Sequence, residues 1–150
     1  MEGFRGNLVT GGLLFFFGAM LFVPVEGVAS GKAELKNLGN GVCLQANGLM
    51  WQVDKSRKFS SVAEAQEYAE RLNLGEYNDW RLPTRDELYD LCDIWEMKLA
   101  GDCPIKIKGS YWSSEDGKVR AGEWESYPLC GGSEYKYLKK KSGSVRAVRP

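Results

Sequence analysis

The pattern of apolar and polar positions divides the chain after residue 41 into a hairpin, two helices and a series of short strands. Residues 42–46 and 49–52 are short apolar runs separated by Asn47-Gly48, a dipeptide typical of β-hairpin turns. The strands predicted in the second half span residues 110–114, 119–127, 135–138 and 144–149. Helices followed by a group of strands are typical of the α+β class, so we expect two helices packed on a small antiparallel sheet.

Two capping signals mark where the helices begin. Ser61 and Thr84 each precede a helical pattern and are each followed three residues later by a glutamate, Glu64 and Glu87. Gly75 lies where the first helix should stop. The apolar positions that recur at helical spacing, and that we expect to be buried, are Val62, Ala65, Ala69 and Leu72 in the first helix and Leu88, Leu91, Cys92 and Trp95 in the second.

The first thirty residues have a different character. Residues 8–25 carry no charge, Arg5 precedes them, and small residues follow from Gly27 to Gly31. This arrangement predicts a signal peptide over residues 1–29, and the alternative is an uncleaved membrane anchor, because the run of about 18 residues is near the lower limit for crossing a bilayer. Either reading predicts export to the periplasm, the cell surface or the medium. A polar lead-in over residues 30–40 would then precede the folded domain at 41–150.

The remaining chain contains four cysteines, Cys43, Cys92, Cys103 and Cys130. An even number in a small exported domain is typical of two disulfides. Of the three possible pairings we expect Cys92–Cys103, which closes a short loop after a helix, and Cys43–Cys130, which ties an early strand to a late segment. The alternative is a reactive or metal-binding thiol pair, which the lack of a Cys-x-x-Cys spacing disfavours.

Composition excludes several classes of function. The chain has 20 basic and 20 acidic residues, and this zero net charge argues against nucleic-acid binding, which needs a cationic excess. It contains no histidine, so the usual Ser-His-Asp and Cys-His catalytic groups and imidazole-based zinc sites are excluded. Three consecutive lysines, Lys139–Lys141, could meet an anionic polysaccharide, but such a run is more often a solvated turn.

Four sequence words occur in a fixed order and carry a resemblance to a known family. They are NGLMWQ at 47–52, DWRLPT at 79–84 followed by Glu87-Leu88, YWSS at 111–114, and VRAVR at 145–149. Together they resemble the Lcl C-terminal domain family, named for a bacterial collagen-like adhesin, over residues 41–150. No Gly-x-y repeat precedes the domain here, so the collagen-like stalk of that adhesin is not carried over.

The resemblance implies a C-type-lectin-like fold, in the branch shared with formylglycine-generating enzymes. It also implies that calcium is compatible with the fold, although no cofactor is expected from the residues themselves. Oxygen ligands for such an ion could come only from scattered carboxylates, namely Asp102, Glu115, Asp116 and Glu123. The copper-dependent oxidase activity of the enzymes needs cysteine thiols, which here have a simpler role as disulfides. Fold alone does not transfer function.

The candidate ligand face lies between Tyr111 and Tyr127, where aromatic and polar side chains are interleaved. The ligand-binding residues that we expect are Trp124, Tyr127, Glu125, Tyr111 and Ser114. We therefore expect a non-catalytic exported domain that recognises a glycan or an envelope protein in adhesion or in the envelope. The alternatives are a structural or accessory subunit of an envelope assembly and, least favoured, an enzyme on the formylglycine-generating fold.

The other residues of the family words are expected to be structural. Trp51, Trp80 and Trp112 should lie in the core. Arg81 has several donors and could hold backbone carbonyls. Arg146 and Arg149 of the last strand are expected to pair with carboxylates such as Asp86 or Asp90.

Overall fold

A computed structural model of the chain describes residues 32–127, 132–137 and 142–150. The predicted leader at 1–29, Cys130 and Lys139–Lys141 lie outside these residues. The described chain is α+β, as the sequence predicts. Its elements are β1 (Leu35–Gly39), β2 (Val42–Gln45), β3 (Met50–Gln52), β4 (Lys58–Phe59), α1 (Val62–Arg71), α2 (Arg85–Glu96), β5 (Ser110–Glu115), β6 (Lys118–Tyr127), β7 (Gly132–Tyr137), β8 (Gly143–Ser144) and β9 (Val148–Arg149).

The strands form two sheets rather than the single antiparallel sheet that we expected. The first sheet has the order β1-β2-β3-β9 and is antiparallel throughout. The second has the order β4-β8-β5-β6-β7, in which β5 and β8 run parallel. The predicted last strand at 144–149 is therefore divided, with one end in each sheet. This division lets the C-terminal segment join the two sheets.

The polar stretch at 35–39 belongs to the sheet. We expected a lead-in there, but the segment forms β1, which pairs with β2 and shifts register between Asn37 and Gly39. Leu35 is buried, whereas the four residues that follow it are exposed. A strand with one buried side chain lacks the alternating apolar pattern that identifies strands in a sequence, so the segment resembles a linker.

The predicted turn at Asn47-Gly48 is present, and a second hairpin turn of different geometry joins β5 to β6. Asn47-Gly48 lies in a three-residue loop, because the Gln45 N–H donates to the Leu49 carbonyl oxygen at 2.7 Å, and Gly48 adopts a φ of +95°. Between β5 and β6, Asp116 and Gly117 both have positive φ, +50° and +74°, as a type I′ turn requires.

The two helices begin where the capping signals predict. The Thr84 hydroxyl accepts from the Glu87 N–H, and the Glu87 carboxylate accepts from the Thr84 N–H at 2.8 Å, which completes a capping box. Arg81 pairs with the same carboxylate through two hydrogen bonds of 2.7 and 2.8 Å. At α1, Ser61 caps the Glu64 N–H. Arg81 is thus chiefly the partner of a carboxylate, although it also donates to the Leu82 carbonyl oxygen at 3.2 Å.

Two groups of buried side chains fill the interior. One surrounds Trp51 and Leu91, between the first sheet and α2, and the other surrounds Trp80 and Trp112, beneath α1. The three tryptophans expected in the core, Trp51, Trp80 and Trp112, are 0%, 3% and 0% exposed. The tryptophans of the family motifs therefore have a structural role in the core.

The predicted disulfide pairing is wrong, because Cys43 is bonded to Cys103, with the two Cα atoms 6.0 Å apart. The loop after α2 returns to the start of β1, where the Glu34 N–H donates to the Leu99 carbonyl oxygen at 2.8 Å and Gly101 lies against the backbone of Leu35. A Cβ atom at Gly101 would lie 2.7 Å from the Leu35 carbonyl oxygen, so glycine permits this approach. Cys103 is thereby brought to β2. Its bond to Cys43 excludes both pairs that we expected, Cys92–Cys103 and Cys43–Cys130.

Of the two C-terminal arginines, Arg149 pairs with a carboxylate as expected, but with neither Asp86 nor Asp90, and Arg146 pairs with no carboxylate in the described chain. Arg149 pairs with Asp79 through hydrogen bonds of 2.5 and 3.0 Å, and its guanidinium stacks over the ring of Tyr77. Arg146 is 2% exposed and binds backbone oxygens instead of a carboxylate. These acceptors are the carbonyl oxygens of Gln52, Val53 and Lys106.

Candidate functional site

An open pocket lies between the end of α2, the loop before β5, and β6. Its volume is about 210 Å³. The residues that line it are Cys92, Trp95, Glu96, Ile107, Lys108, Gly109 and Trp124. We name it the Trp95–Trp124 pocket. It brings Trp124, one of the five binding residues predicted from the sequence, together with residues that the sequence analysis did not identify as binding residues.

Trp95 is the main residue whose burial was predicted wrongly from the sequence. Its helical spacing with Leu88 and Leu91 predicted burial, but the side chain is 36% exposed, and Ile94 is buried instead. The row of apolar side chains formed by Leu88, Leu91 and Trp95 extends to the last turn of α2, where Trp95 lines the open pocket. Spacing identifies the face of a helix on which a residue lies, but not whether another element covers that face.

Trp124 has a fixed orientation at the opposite side of the pocket. It lies on β6 opposite Tyr135 of β7 and is half-buried. Its indole packs edge-on against Tyr89 of α2, with ring centroids 4.9 Å apart and planes at 90°. This arrangement is favourable for aromatic pairs and restrains the ring before any ligand binds.

The loop between Cys103 and β5 is anchored from beneath. The Tyr111 hydroxyl accepts from the Lys108 N–H at 3.2 Å, and Lys55 donates to the Lys108 carbonyl oxygen at 2.5 Å. Arg146 binds the Lys106 carbonyl oxygen at 2.9 Å. Because the loop has no regular secondary structure, these contacts, with buried Ile105 and Ile107, hold Lys108 and Gly109 at the rim of the pocket.

The structure separates the remaining residues predicted to bind a ligand. Tyr111 is 0% exposed, so its ring belongs to the core and offers no surface. Ser114 lies four residues after Ser110, the residue of β5 nearest the pocket, a distance of about 13 Å along the strand. It lines a different cavity beside Trp80. The side chains of Glu125 and Tyr127 lie outside what the structure describes.

A cationic and aromatic cluster continues from Trp124 towards the start of α2. Arg85 lies 5.4 Å from the ring centre of Tyr89 and 5.7 Å from that of Tyr137, and Arg120 lies 5.1 Å from the latter. The Tyr137 hydroxyl donates to Glu115 at 2.7 Å. Burial and this hydrogen bond raise the pKa of the Tyr137 phenol, so it remains a neutral donor. Arg85 and Tyr89 are four residues apart on α2, and that spacing was the available sequence signal.

Two of the four carboxylates considered for calcium, Asp102 and Glu115, have separate hydrogen-bond partners. Asp102 accepts from the Asn37 N–H at 2.8 Å, and Glu115 accepts from Tyr137. Over the described residues, no group of three or more histidine, cysteine or acidic side chains is placed to hold a metal ion.

Within the described chain, no helix has the length and apolar character needed to span a bilayer.

Comparison with known proteins identifies the family. No curated protein and no solved structure shows significant similarity to the chain. The model of the Lcl C-terminal domain family matches residues 42–149, from the first residue of β2 to the last of β9, and so includes both helices and the Trp95–Trp124 pocket. The chain belongs to the Lcl C-terminal domain family.

Proposed function

We propose that the protein is an exported, non-catalytic binding domain of C-type-lectin-like fold that recognises carbohydrate at the Trp95–Trp124 pocket. The observation that carries this proposal is the position of an exposed tryptophan, Trp95, beside the half-buried Trp124 in one open pocket. Two indoles that line one open pocket offer apolar surface that a ligand can bury, and aromatic linings of this kind are typical of binding sites.

The chemistry of the pocket suits a sugar ring. Such a ring has an apolar face of C–H groups, which packs on an indole, and hydroxyl groups at its edge, which need donors and acceptors. Lys108 supplies a donor and Glu96 supplies acceptors at the rim. Sites for whole small ligands usually measure about 300–1,000 Å³. A pocket of 210 Å³ fits one ring of a longer ligand that continues over the surface.

The absence of catalysis is part of the proposal. The chain has no histidine to transfer protons near neutral pH. Export is supported by the Cys43–Cys103 disulfide, because disulfides persist mainly in oxidising compartments outside the cytoplasm. Membership of the Lcl C-terminal domain family supports an accessory rather than a catalytic role.

A glycan array probed with the purified, oxidised protein tests the ligand class. We expect a small set of related glycans to bind, and binding to be lost when the protein is reduced and unfolded. An array that stays blank with folded protein would contradict carbohydrate recognition.

One observation favours the second candidate function, a structural or accessory subunit of an envelope assembly. Met97, directly after α2, is 67% exposed and lies two residues from Trp95. Exposed Trp and Met side chains are typical of protein interfaces. Co-purification of a stoichiometric protein partner, lost in Met97→Ala and Trp95→Ala, would support this function over glycan binding.

A further inference from the structure

A second and larger open groove lies on the opposite helix, between one face of α1 and the segment that enters β4. Its volume is about 560 Å³, within the range of about 300–1,000 Å³ that is usual for small-ligand sites. The side chains that line it are Arg57, Phe59, Glu64, Glu67, Tyr68, Arg71, Leu72 and Asn73. We name it the α1 groove. It shares no residue with the Trp95–Trp124 pocket.

The floor of the α1 groove is apolar and fixed in place. The rings of Phe59 and Tyr68 lie 5.3 Å apart at an angle of 45°. The Tyr68 hydroxyl accepts a hydrogen bond of 2.7 Å from Gln52, which is itself buried, so the ring cannot turn freely. Leu72 completes the floor one helical turn further along. The Arg57 guanidinium lies over the Phe59 ring, 4.4 Å from its centroid, so the accessible apolar surface of the floor is that of Tyr68 and Leu72. This pre-formed surface can accept an apolar side chain with little rearrangement.

The rim of the groove carries both signs of charge. Arg57 faces Glu64 at 3.8 Å, and Arg71 faces Glu67 at 3.0 Å. All four side chains are well exposed, from 45% for Glu64 to 81% for Arg71. Exposed ion pairs contribute little to stability. Exchanging one of these partners for a charge on a ligand therefore costs little, and the rim complements a ligand with a cation at one end and an anion at the other.

The spacing of these charges along α1 sets the length of such a ligand. Glu64 and Arg71 are separated by seven helical residues, a rise of about 10 Å. An extended tripeptide spans at most about 10 Å. We propose that the α1 groove binds a short peptide with free termini, with an apolar side chain over Tyr68 and Leu72 and its terminal charges at Glu64 and Arg71.

Titration calorimetry with defined tripeptides tests the proposal on the full, oxidised protein. We expect saturable binding of Gly-Leu-Gly with free termini. The same peptide with an acetylated amino end and an amidated carboxyl end should bind about tenfold more weakly, because it lacks both charges. Gly-Gly-Gly should lose a similar factor, because it has no side chain for the floor. No saturable binding, or equal binding of the three peptides, would overturn the proposal.

Two exposed substitutions and a matched control locate the binding. Arg71→Ala and Glu64→Gln should each weaken Gly-Leu-Gly binding, by up to about tenfold. Glu70→Gln makes the same substitution on the same helix, but Glu70 lies outside the groove, so binding should stay unchanged. Binding that survives both groove variants would show that the peptide sits elsewhere. The result is independent of the glycan array, because Trp95→Ala should leave peptide binding intact.

Discussion

Arg146 holds its guanidinium over the ring of Tyr111, with Cζ 5.6 Å from the ring centroid, and both side chains are buried. Through this pair the last segment of the chain supports the loop that forms one wall of the Trp95–Trp124 pocket. Arg146 binds the Lys106 carbonyl oxygen, and Tyr111 accepts from the Lys108 N–H. The family word that contains Arg146 thus contributes to the pocket without touching it.

Arg146→Ala should lower the free energy of unfolding by about 3–5 kcal/mol, because it leaves buried carbonyl oxygens without donors and opens a cavity. Arg146→Lys should also destabilise, because an ammonium group cannot reproduce the planar fork of donors. Urea denaturation measures both changes. Arg71→Ala is the control: that side chain is 81% exposed, and the change should stay within about 0.5 kcal/mol. Equal effects of Arg146→Ala and Arg71→Ala would contradict a structural role for Arg146.

Loss of the Cys43–Cys103 disulfide should be costly. The two cysteines are 60 residues apart, and the chain-entropy relation for a loop of this size gives about 4 kcal/mol. The double variant Cys43→Ser/Cys103→Ser should therefore unfold at a much lower urea concentration than the oxidised wild-type protein. Reduced wild-type protein should behave at least as poorly as the variant. An unchanged midpoint would mean that the bond does not stabilise the fold.

The other two cysteines should be bonded to each other. Cys92 is buried on α2, and Cys130 lies outside the described residues. In the exported domain that we propose, one disulfide formed and two more cysteines favour a second bond. Peptide mapping without reduction should recover Cys43 linked to Cys103 and Cys92 linked to Cys130. Alkylation of both Cys92 and Cys130 in unreduced protein would instead revive the reading as an enzyme on the formylglycine-generating fold.

Stability should fall in acid partly through Glu87. Burial alone raises the pKa of its carboxyl group, but hydrogen bonds from Arg81 and Thr84 outweigh burial, and the pKa lies below its usual value of 4.5. The unfolded chain therefore takes up this proton first as the pH falls. The stabilisation is complete above the usual carboxyl pKa and is lost as the pH falls through the lowered folded value. The advantage of wild-type protein over Glu87→Gln should shrink from pH 7 to pH 3, and a constant difference would contradict this.

The local features of the fold could be predicted from the sequence, because their causes are local. Thr84 and Glu87 mark the start of α2, and Asn47-Gly48 marks a turn, because in each case the hydrogen bonds join residues that are close in sequence. The tryptophans of the family words were correctly placed in the core. The α+β class followed from the order of these elements.

Long-range pairings could not be predicted in the same way. The bond between Cys43 and Cys103 depends on a loop that returns to β1, a strand whose exposed face gave no sequence signal. The pairing of Arg149 with Asp79 depends on the meeting of two distant segments. Trp95 followed a correct helical stripe, but nothing in the stripe shows that the core ends before the last turn of α2.

The most direct test of glycan recognition is the affinity of Trp95→Ala for the best glycan found on the array, measured by titration calorimetry. We expect the variant to fold normally, because the side chain is exposed, and to bind at least about tenfold more weakly. Leu38→Ala, another exposed apolar residue on β1, should bind like wild-type protein. Unchanged glycan affinity in folded Trp95→Ala would contradict the assignment of the pocket as the binding site.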